Sequence, residues 1–270
     1  MYENELAVAL KAAHMAGNLI SEVYKTLKPH ENAPADLTTE TDRQSQEMIL
    51  KVLRKEFPLD SLCGEEKTET LSESPNSSSR TWVVDPIDGT RGFAMKNDQF
   101  SVMIALIDNG NVVVGVVHEP ATGKTTYASK GNGCFLMKPP KETVPCKVRS
   151  CGSLGDSILV QSHAKPGKIS KAASAFSPKS VIETYSAGLK MAIVARGEAD
   201  IYANNYSAFH DWDICAGHIL VEEAGGQITD FSGSPISYGA IGFKQTKGML
   251  ATNGKIHPHA LSKTHGLLES

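Results

Sequence analysis

The chain has 270 residues, which is enough for one large domain or two of middling size with a substantial buried core. Its 27 Lys and Arg are nearly balanced by 30 Asp and Glu, so the net charge of -3 creates no overall field that would attract nucleic acid or an anionic membrane. A hydrophobic fraction of 40%, with 23 Gly and 13 Pro, excludes collagen, coiled coil and wholesale disorder. We therefore expect a globular protein without a nucleic-acid partner, in which any phosphate binding is local.

Membrane insertion and secretion are not predicted. The longest apolar runs, at residues 102–107 and 112–117, are much shorter than the ~18 residues that a membrane span needs. The first residues are acidic, whereas a signal peptide begins with basic ones. Five scattered cysteines, an odd number, are typical of a reducing compartment. The sequence therefore predicts a cytoplasmic protein that does not associate with membranes.

The first half of the chain is predicted to open with two helices. Apolar residues at three- and four-residue steps predict a helix over residues 4–27, and a second helix runs from Thr41 to Leu53. Thr41 and Gln44 resemble a capping box for this second helix. Apolar and β-branched runs then predict strands at residues 62–63, 81–84, 101–107, 112–118, 124–128 and 133–137. Asn109-Gly110 predicts a hairpin between the third and fourth of them.

A boundary is expected in the Pro-rich passage between Pro139 and Pro145, because strands and helices alternate after it. Strands are predicted at residues 157–161, 181–184, 201–202 and 249–251. Helices are predicted at residues 189–195 and 212–224, and Gly225-Gly226 ends the second one. We therefore predict two domains, an N-terminal α+β half over residues 1–145 and a C-terminal α/β half over residues 146–270.

Residues 85–90, Asp-Pro-Ile-Asp-Gly-Thr, are the most informative stretch of the sequence. The two carboxylates at the end of an apolar strand cannot both be buried without a partner. A turn would direct them to one side beside the carbonyl of Ile87, and such hard oxygen ligands suit Mg²⁺ or Mn²⁺. Gly89 permits close backbone approach, and the free N–H groups of the helical turn beginning at Thr90 favour an anion. A plain Asp-Pro turn followed by a helix N-cap is the alternative interpretation.

Two other segments offer further carboxylates, Gly64-Glu65-Glu66 and Trp212-Asp213. Each alone is typical of solvated glutamates or of a helix cap. Together the three segments resemble the signatures of the inositol monophosphatase superfamily, the Mg²⁺-dependent, lithium-sensitive phosphatases that include 3′(2′),5′-bisphosphate nucleotidase. The matching segments are Gly64-Glu65-Glu66, Trp82 to Thr90, Trp212 to Gly217, and Glu223 to Gly226. The resemblance extends from about Leu6 to Asn253 and implies a mixed α/β (α+β) fold, a layered α/β/α/β/α sandwich.

The resemblance also implies a site for two or three Mg²⁺ ions. The metal ligands that it implies are Glu65, Asp85, Asp88, Asp213 and the carbonyl of Ile87. Most of these lie in the first half of the chain, and Asp213 lies in the second. Gly89 and Thr90 would hold the phosphate group of a small phosphorylated substrate. Asp42, paired with Thr90, would orient and deprotonate the attacking water, and Glu65 would also belong to the catalytic set.

Substrate choice depends on residues outside these motifs. Arg91-Gly92-Phe93 is closer to the nucleotidases than to the inositol monophosphatases, and Ser162, His163 and Lys190 resemble positions that hold the nucleotide. Asn204 departs from the pattern, because nucleotidases usually carry an Arg there. The sequence therefore predicts a 3′(2′),5′-bisphosphate nucleotidase acting on 3′-phosphoadenosine 5′-phosphate.

Three alternatives to this prediction stay open. An inositol monophosphatase or a broad sugar-phosphate phosphatase belongs to the same class of enzyme. A catalytically inactive protein that binds metal or nucleotide belongs to a different class. A homodimer is compatible with all of these interpretations.

Overall fold

Two β-sheets alternate with layers of helices in this computed structural model, which describes residues 1–34, 37–74, 78–140, 142–206 and 209–268, without the side chain of Ile241. The helices are α1 (Glu3–Thr26), α2 (Glu40–Glu56), α3 (Glu69–Ser72), α4 (Thr90–Met95), α5 (Lys171–Phe176), α6 (Ala187–Ala195), α7 (Cys215–Glu223) and α8 (His257–Leu261). Of the described helices, none is both long and apolar enough to cross a membrane.

The larger sheet has seven strands, which follow one another in chain order. They are β1 (Ser61–Gly64), β2 (Arg80–Asp88), β3 (Ser101–Asp108), β4 (Asn111–Glu119), β5 (Lys124–Ser129), β6 (Cys134–Lys138) and β7 (Glu142–Pro145). Strands β1 and β2 are parallel, and every later pair is antiparallel. The predicted hairpin between β3 and β4 is confirmed, because Asp108 pairs with Asn111 across the turn.

The smaller sheet has five strands in the order β12-β14-β10-β8-β9. Its strands are β8 (Ile158–Gln161), β9 (Ser180–Glu183), β10 (Ile201–Asn204), β12 (Gln227–Thr229) and β14 (Met249–Thr252), and a separate short pair is formed by β11 (Phe209–His210) and β13 (Lys244–Gln245). Strands β8, β9 and β10 are parallel, whereas β14 is antiparallel to its neighbours. The parallel strands end on the side where residues 162–163 follow β8.

The layers follow from which faces are apolar. Helices α1 and α2 cover one face of the larger sheet, and the alanines Ala9, Ala12 and Ala16 let α1 pack closely against it. Helices α6 and α7 lie between the two sheets and share one core with both. Phe176 of α5 and Ala260 of α8 belong to a third core on the outer face of the smaller sheet. The predicted layered α/β/α/β/α architecture is confirmed, whereas the division into two domains at residue 145 stays a prediction.

Three elements differ from the sequence-based expectation. The capping box of α2 is formed by Thr39 and Asp42 rather than by Thr41 and Gln44, so the helix begins earlier. The predicted helix at residues 212–224 is divided into a 3₁₀ turn, Asp211–Asp213, and α7. The Pro-rich passage contains the edge strand β7. Pro145 is compatible with this strand, because the N–H groups on the outer side of an edge strand have no neighbouring strand to bind.

Helix α1 packs against β4 at two histidines, the half-buried His14 and the buried His118. His14 Nε2 and His118 Nδ1 lie 3.0 Å and 2.9 Å from the hydroxyl oxygen of Thr125. Gly17 is needed opposite them, because a Cβ at this position would lie 2.3 Å from His118 Nε2. Burial, together with the neighbouring His14, lowers the pKa of His118 to about 4. The folded protein therefore holds His118 in its neutral form.

We expect His118 to make the fold sensitive to acid. The unfolded chain would protonate this imidazole near its ordinary pKa of about 6.5, so stability is lost as the pH falls from there towards 4. The difference in the free energy of unfolding between wild type and His118→Gln should shrink over this range, by at most about 1.4 kcal/mol per pH unit. Urea unfolding at successive pH values measures it, and other titrating groups cancel in the difference. A difference that is independent of pH would contradict the assignment.

Candidate active site

A bulge in β2 places two carboxylates on the same side of the larger sheet. Asp85 pairs with Met103 of β3 and Asp88 pairs with Ser101, so two residues of β2 face one residue of β3 between these pairs. In a regular strand, side chains three residues apart point to opposite faces. The extra residue of the bulge reverses this alternation. The expected turn at Asp85 is therefore wrong, because the strand continues to Asp88 and the bulge aligns the two side chains.

Asp213 joins this pair from the second half of the chain. It is the last residue of the 3₁₀ turn before α7, and its Oδ2 accepts a hydrogen bond of 2.6 Å from the backbone N–H of His210. Carboxylate oxygens of Asp85, Asp88 and Asp213 all lie within 4.8 Å of one another. Three hard oxygen donors at this spacing fit a divalent cation such as Mg²⁺.

The electrostatics of the three carboxylates support the same interpretation. Asp85 is only 2% exposed, and burial followed by repulsion from Glu65 and Asp88 raises its pKa well above the ordinary value. Burial also raises the pKa of Asp88 and of Asp213. A cation among three mutually repelling carboxylates would stabilise their anionic forms. The donor set therefore fits the metal that the sequence predicted.

Glu65 lies beside the cluster, on the segment that follows β1. The amide of Gln46 holds this segment, since its Oε1 accepts the N–H of Glu66 at 2.9 Å and its Nε2 donates to the carbonyl of Glu66 at 2.5 Å. A Cβ at Gly64 would lie 2.6 Å from the same Oε1. The residue Glu65 is exposed, but its carboxyl is within hydrogen-bonding reach of Asp85. Desolvation in the cleft and repulsion from Glu66 raise the pKa of Glu65 to about 8.

Asp88 also connects the two halves of the chain. Its carboxylate accepts hydrogen bonds from the hydroxyl of Ser186, which caps α6, and from the N–H groups of Ala187 and Gly188 at 3.0 Å and 2.6 Å. The free N–H groups and the dipole of a helix N-terminus stabilise a negative charge. These bonds oppose the effect of burial on the pKa of Asp88. They fix Asp88 of the larger sheet to the helical layer between the sheets.

The turn after Asp88 carries the predicted phosphate seat and the predicted water-positioning pair. Gly89 has φ 84°, and a Cβ there would lie 2.7 Å from the carbonyl oxygen of Gln99. Thr90 Oγ1 lies 3.1 Å from Asp42 Oδ1 and 2.9 Å from the carbonyl oxygen of Ile87, either of which can accept its proton. The other oxygen of Asp42 accepts the N–H of Thr39 at 2.9 Å. Asp42 is 1% exposed, so it reaches the cleft only through Thr90.

A cavity of about 440 Å³ between the two sheets is lined by Glu65, Asp85, Asp88, Gly89, Thr90 and Asp213, and Asp42 lies behind Thr90. The predicted substrate residues Ser162, His163 and Lys190 also line this cavity. Ser162 and His163 follow β8, and Lys190 lies on α6. Lys190 is 2% exposed, and its Nζ donates to the carbonyl of Tyr185 at 3.0 Å. Burial lowers the pKa of Lys190 to about 8, although Asp88 and Asp213 oppose this shift.

Four aromatic residues that line the cavity, Tyr185, Tyr202, Tyr206 and Phe209, were not among the predicted site residues. The Nζ of Lys190 lies 5.4 Å from the ring centroid of Tyr202, and the ring of His163 lies 4.4 Å from that of Tyr185. His163 Nε2 is also 2.7 Å from the side-chain oxygen of Gln99. Tyr185 precedes the cap of α6 and Tyr202 lies on a short buried strand, positions where an aromatic residue carries no functional signal in the sequence.

Comparisons with known proteins agree with this geometry. The chain is 34% identical to a fructose-1,6-bisphosphatase/inositol-1-monophosphatase of Thermotoga maritima, over 87% of this chain and 84% of that protein. It is 26% identical to 3′(2′),5′-bisphosphate nucleotidase 1 of Candida albicans, over 94% and 93% of the two chains. The solved structure of an inositol monophosphatase from Anabaena (Nostoc) superposes with a TM-score of 0.79 and 28% identity, covering 97% of this chain and 96% of the other.

The match to a protein family covers nearly the whole sequence. Residues 1–269 match the inositol monophosphatase family, and the acidic cluster, the cavity and the layered fold are all contained in that range. The relatives named above act as phosphatases, whose common reaction is the hydrolysis of a phosphoric monoester. The chain therefore belongs to the inositol monophosphatase family and is a phosphoric monoester hydrolase.

Proposed function

We propose that the protein is a Mg²⁺-dependent 3′(2′),5′-bisphosphate nucleotidase that hydrolyses 3′-phosphoadenosine 5′-phosphate. The observation that carries this proposal is the ammonium group of Lys190, which lines the cavity beside the acidic cluster instead of reaching solvent. A buried cation at this place is suited to a second anionic group on the substrate. A homodimer and a cytoplasmic location remain predictions of the sequence.

The metal would be held by Asp85, Asp88 and Asp213, with Glu65 and the carbonyl of Ile87 at the same cleft. When bound, Mg²⁺ supplies positive charge that stabilises the transferring phosphoryl group and lowers the pKa of a water molecule. The protein's own part is to hold the carboxylates close together before the substrate arrives and to stabilise the anionic form of Asp88. The hydrogen bonds from Ser186, Ala187 and Gly188 do this for Asp88.

Thr90 and Asp42 would prepare the attacking water. The Thr90 hydroxyl donates its proton to Asp42 or to the carbonyl of Ile87, so its oxygen can accept a hydrogen bond from a water in the cleft. Asp42 accepts further hydrogen bonds from the backbone N–H and the hydroxyl of Thr39, which fix its orientation. Desolvation raises the pKa of Asp42, which makes this carboxylate a stronger base for the proton that leaves the water.

The nucleotide would extend across the other side of the cavity. The adjoining rings of His163 and Tyr185, tilted by 33° to each other, offer a surface to a base or ribose, and Ser162 offers a hydroxyl at the rim. Asn204, which also lines the cavity, favours a second candidate function. An uncharged residue at this position suits a sugar phosphate, and the relative from Thermotoga maritima carries that type of activity in its name.

Replacing Asp85 should separate metal binding from folding. We expect Asp85→Asn to abolish turnover and the rise in melting temperature that Mg²⁺ causes in the wild type. In chelator, the variant should be at least as stable as the wild type, because one of several repelling carboxylates is gone. Melting curves with EDTA and with Mg²⁺ measure this, and Asp156→Asn on the exposed surface is the matched control. Near-normal activity of Asp85→Asn would refute the metal assignment.

Replacing Asp42 should slow the chemical step while leaving metal binding intact. Asp42→Asn keeps the size of the side chain but removes the base behind Thr90, so kcat should fall about 10²- to 10⁴-fold. The rise in melting temperature with Mg²⁺ should persist, because Asp42 lies outside the acidic cluster. Steady-state kinetics and melting curves on the same preparation test both statements. If Asp42→Asn loses the Mg²⁺ effect, its role is structural rather than chemical.

The choice of substrate can be measured directly. We expect kcat/KM for 3′-phosphoadenosine 5′-phosphate to exceed that for inositol 1-phosphate by more than tenfold, because charge-assisted contacts contribute roughly 1.5 to 3 kcal/mol each. Lys190→Met should reduce the nucleotide preference, whereas Lys179→Met on the exposed surface should not. A phosphate-release assay with both substrates provides the values. Equal efficiency on the two substrates would exclude the nucleotidase and favour the sugar-phosphate alternative.

A further inference from the structure

Arg91 lies in the candidate active site and has no role in the chemistry described so far. It follows Thr90 in α4 and lines the same cavity as the acidic cluster. Its side chain therefore begins one residue from the phosphate seat. A substrate held at Thr90 would have its remaining groups within reach of this side chain.

Among the described residues, no carboxylate pairs with the guanidinium of Arg91. The described arginines that form ion pairs with carboxylates are Arg43, Arg80, Arg149 and Arg196. Within the described residues Arg91 forms no such pair, and its Nε is buried without a hydrogen-bond partner. A partly buried cation without a counter-charge is costly, and an anionic ligand in the cavity would supply that charge to the guanidinium.

An aromatic ring positions the group. The guanidinium carbon of Arg91 lies 5.3 Å from the ring centroid of Tyr185, within the range of a cation–π contact. Tyr185 is itself packed against His163 and lies beside the cap of α6. A guanidinium held over a fixed ring keeps its fork of donors oriented, and such a fork binds phosphate or carboxylate with two hydrogen bonds.

The other cationic side chains of the cavity already have partners. Lys190 donates to a backbone carbonyl, and its charge is balanced by Asp88 and Asp213. His163 lies 2.7 Å from Gln99 Oε1 and 3.5 Å from Glu183 Oε2. Asn204 has no charge. Of the described residues that line this cavity, Arg91 is thus the cation with neither a carboxylate partner nor a backbone acceptor, and it can contact the second anionic group together with Lys190.

We propose that Arg91 binds the non-reacting anionic group of the substrate and makes the enzyme selective for substrates that carry two such groups. This inference rests on the proposed phosphomonoesterase site but not on the identity of the substrate as a nucleotide. Asn204 on β10 is uncharged, whereas Arg91 on α4 carries a positive charge. Arg91 would therefore supply the charge that Asn204 does not. The geometry thus assigns a specificity-determining role to a residue that follows the metal motif.

The test compares substrates that differ only in the second phosphate. One pair is adenosine 3′,5′-bisphosphate and adenosine 3′-phosphate, and the other is fructose 1,6-bisphosphate and fructose 1-phosphate. The kcat/KM ratio within each pair is measured for wild type, Arg91→Met, Arg91→Lys and Arg43→Met. Arg43 is the matched control, because it is an arginine of α2 whose charge is already paired with Glu40. Binding of adenosine 5′-phosphate in EDTA, measured by calorimetry, gives a readout that does not depend on turnover.

The wild type should prefer the bisphosphate at least tenfold in one pair, and Arg91→Met should reduce that ratio at least tenfold, mainly through KM. Arg91→Lys should restore part of it, and Arg43→Met should leave it unchanged.

A wild-type preference within the fructose pair alone would overturn the nucleotidase proposal and still support Arg91. An unchanged ratio in Arg91→Met, an equal loss on both members of a pair, or the absence of any wild-type preference would overturn the role of Arg91. For a nucleotide-selective wild type, adenosine 5′-phosphate should also bind Arg91→Met at least tenfold more weakly.

Discussion

The mutual repulsion of Asp85, Asp88 and Asp213 is the constraint on which the rest of the site depends. Their oxygens lie within 4.8 Å of one another, and two of the three residues are almost completely buried. Such an arrangement opposes folding unless the surrounding structure stabilises it. The bulge in β2, the N-terminus of α6 and the 3₁₀ turn before α7 are the elements that hold the three side chains in place. Each of these is a local departure from regular secondary structure.

The same bonds unite the two halves of the chain. Asp88 belongs to the larger sheet, and its partner Ser186 belongs to the segment that caps α6 in the middle layer. Asp213 reaches the cluster from the start of α7, which packs against β4 of the larger sheet. The contacts that hold the acidic cluster therefore also link the two sheets, in addition to the apolar core that α6 and α7 share with both.

Tyr185 has a comparable place on the substrate side of the cavity. Its carbonyl accepts a hydrogen bond from Lys190, while its ring contacts both His163 and Arg91. Three groups that could bind an anion or a base are thus arranged around one side chain next to the cap of α6. Variation among these residues can change the substrate while the acidic cluster stays the same.

The sequence by itself determined the class of the site and most of the fold. Helix and strand periodicity predicted α1, α2, the hairpin of β3 and β4, and the alternation of strands and helices in the second half. The carboxylates of residues 85–90 could be recognised because their chemistry requires them at fixed local spacing. The short helices α5 and α8 carry too few turns for a periodic signal and were missed. The predicted capping box of α2 was wrong, and the 3₁₀ turn that precedes α7 was not predicted. Both depend on the geometry of a helix end, which neighbouring segments influence.

Only the tertiary structure decided which of these residues meet. Asp213 lies more than a hundred residues after Asp85, and no local pattern states that they share a cleft. The bulge that aligns Asp85 with Asp88 is set by pairing with β3, so it is visible only when both strands are placed. Tyr185, Tyr202 and Arg91 line one cavity with the acidic cluster only because the fold brings their segments together. Local spacing is encoded in the sequence, whereas proximity between distant segments is a product of packing.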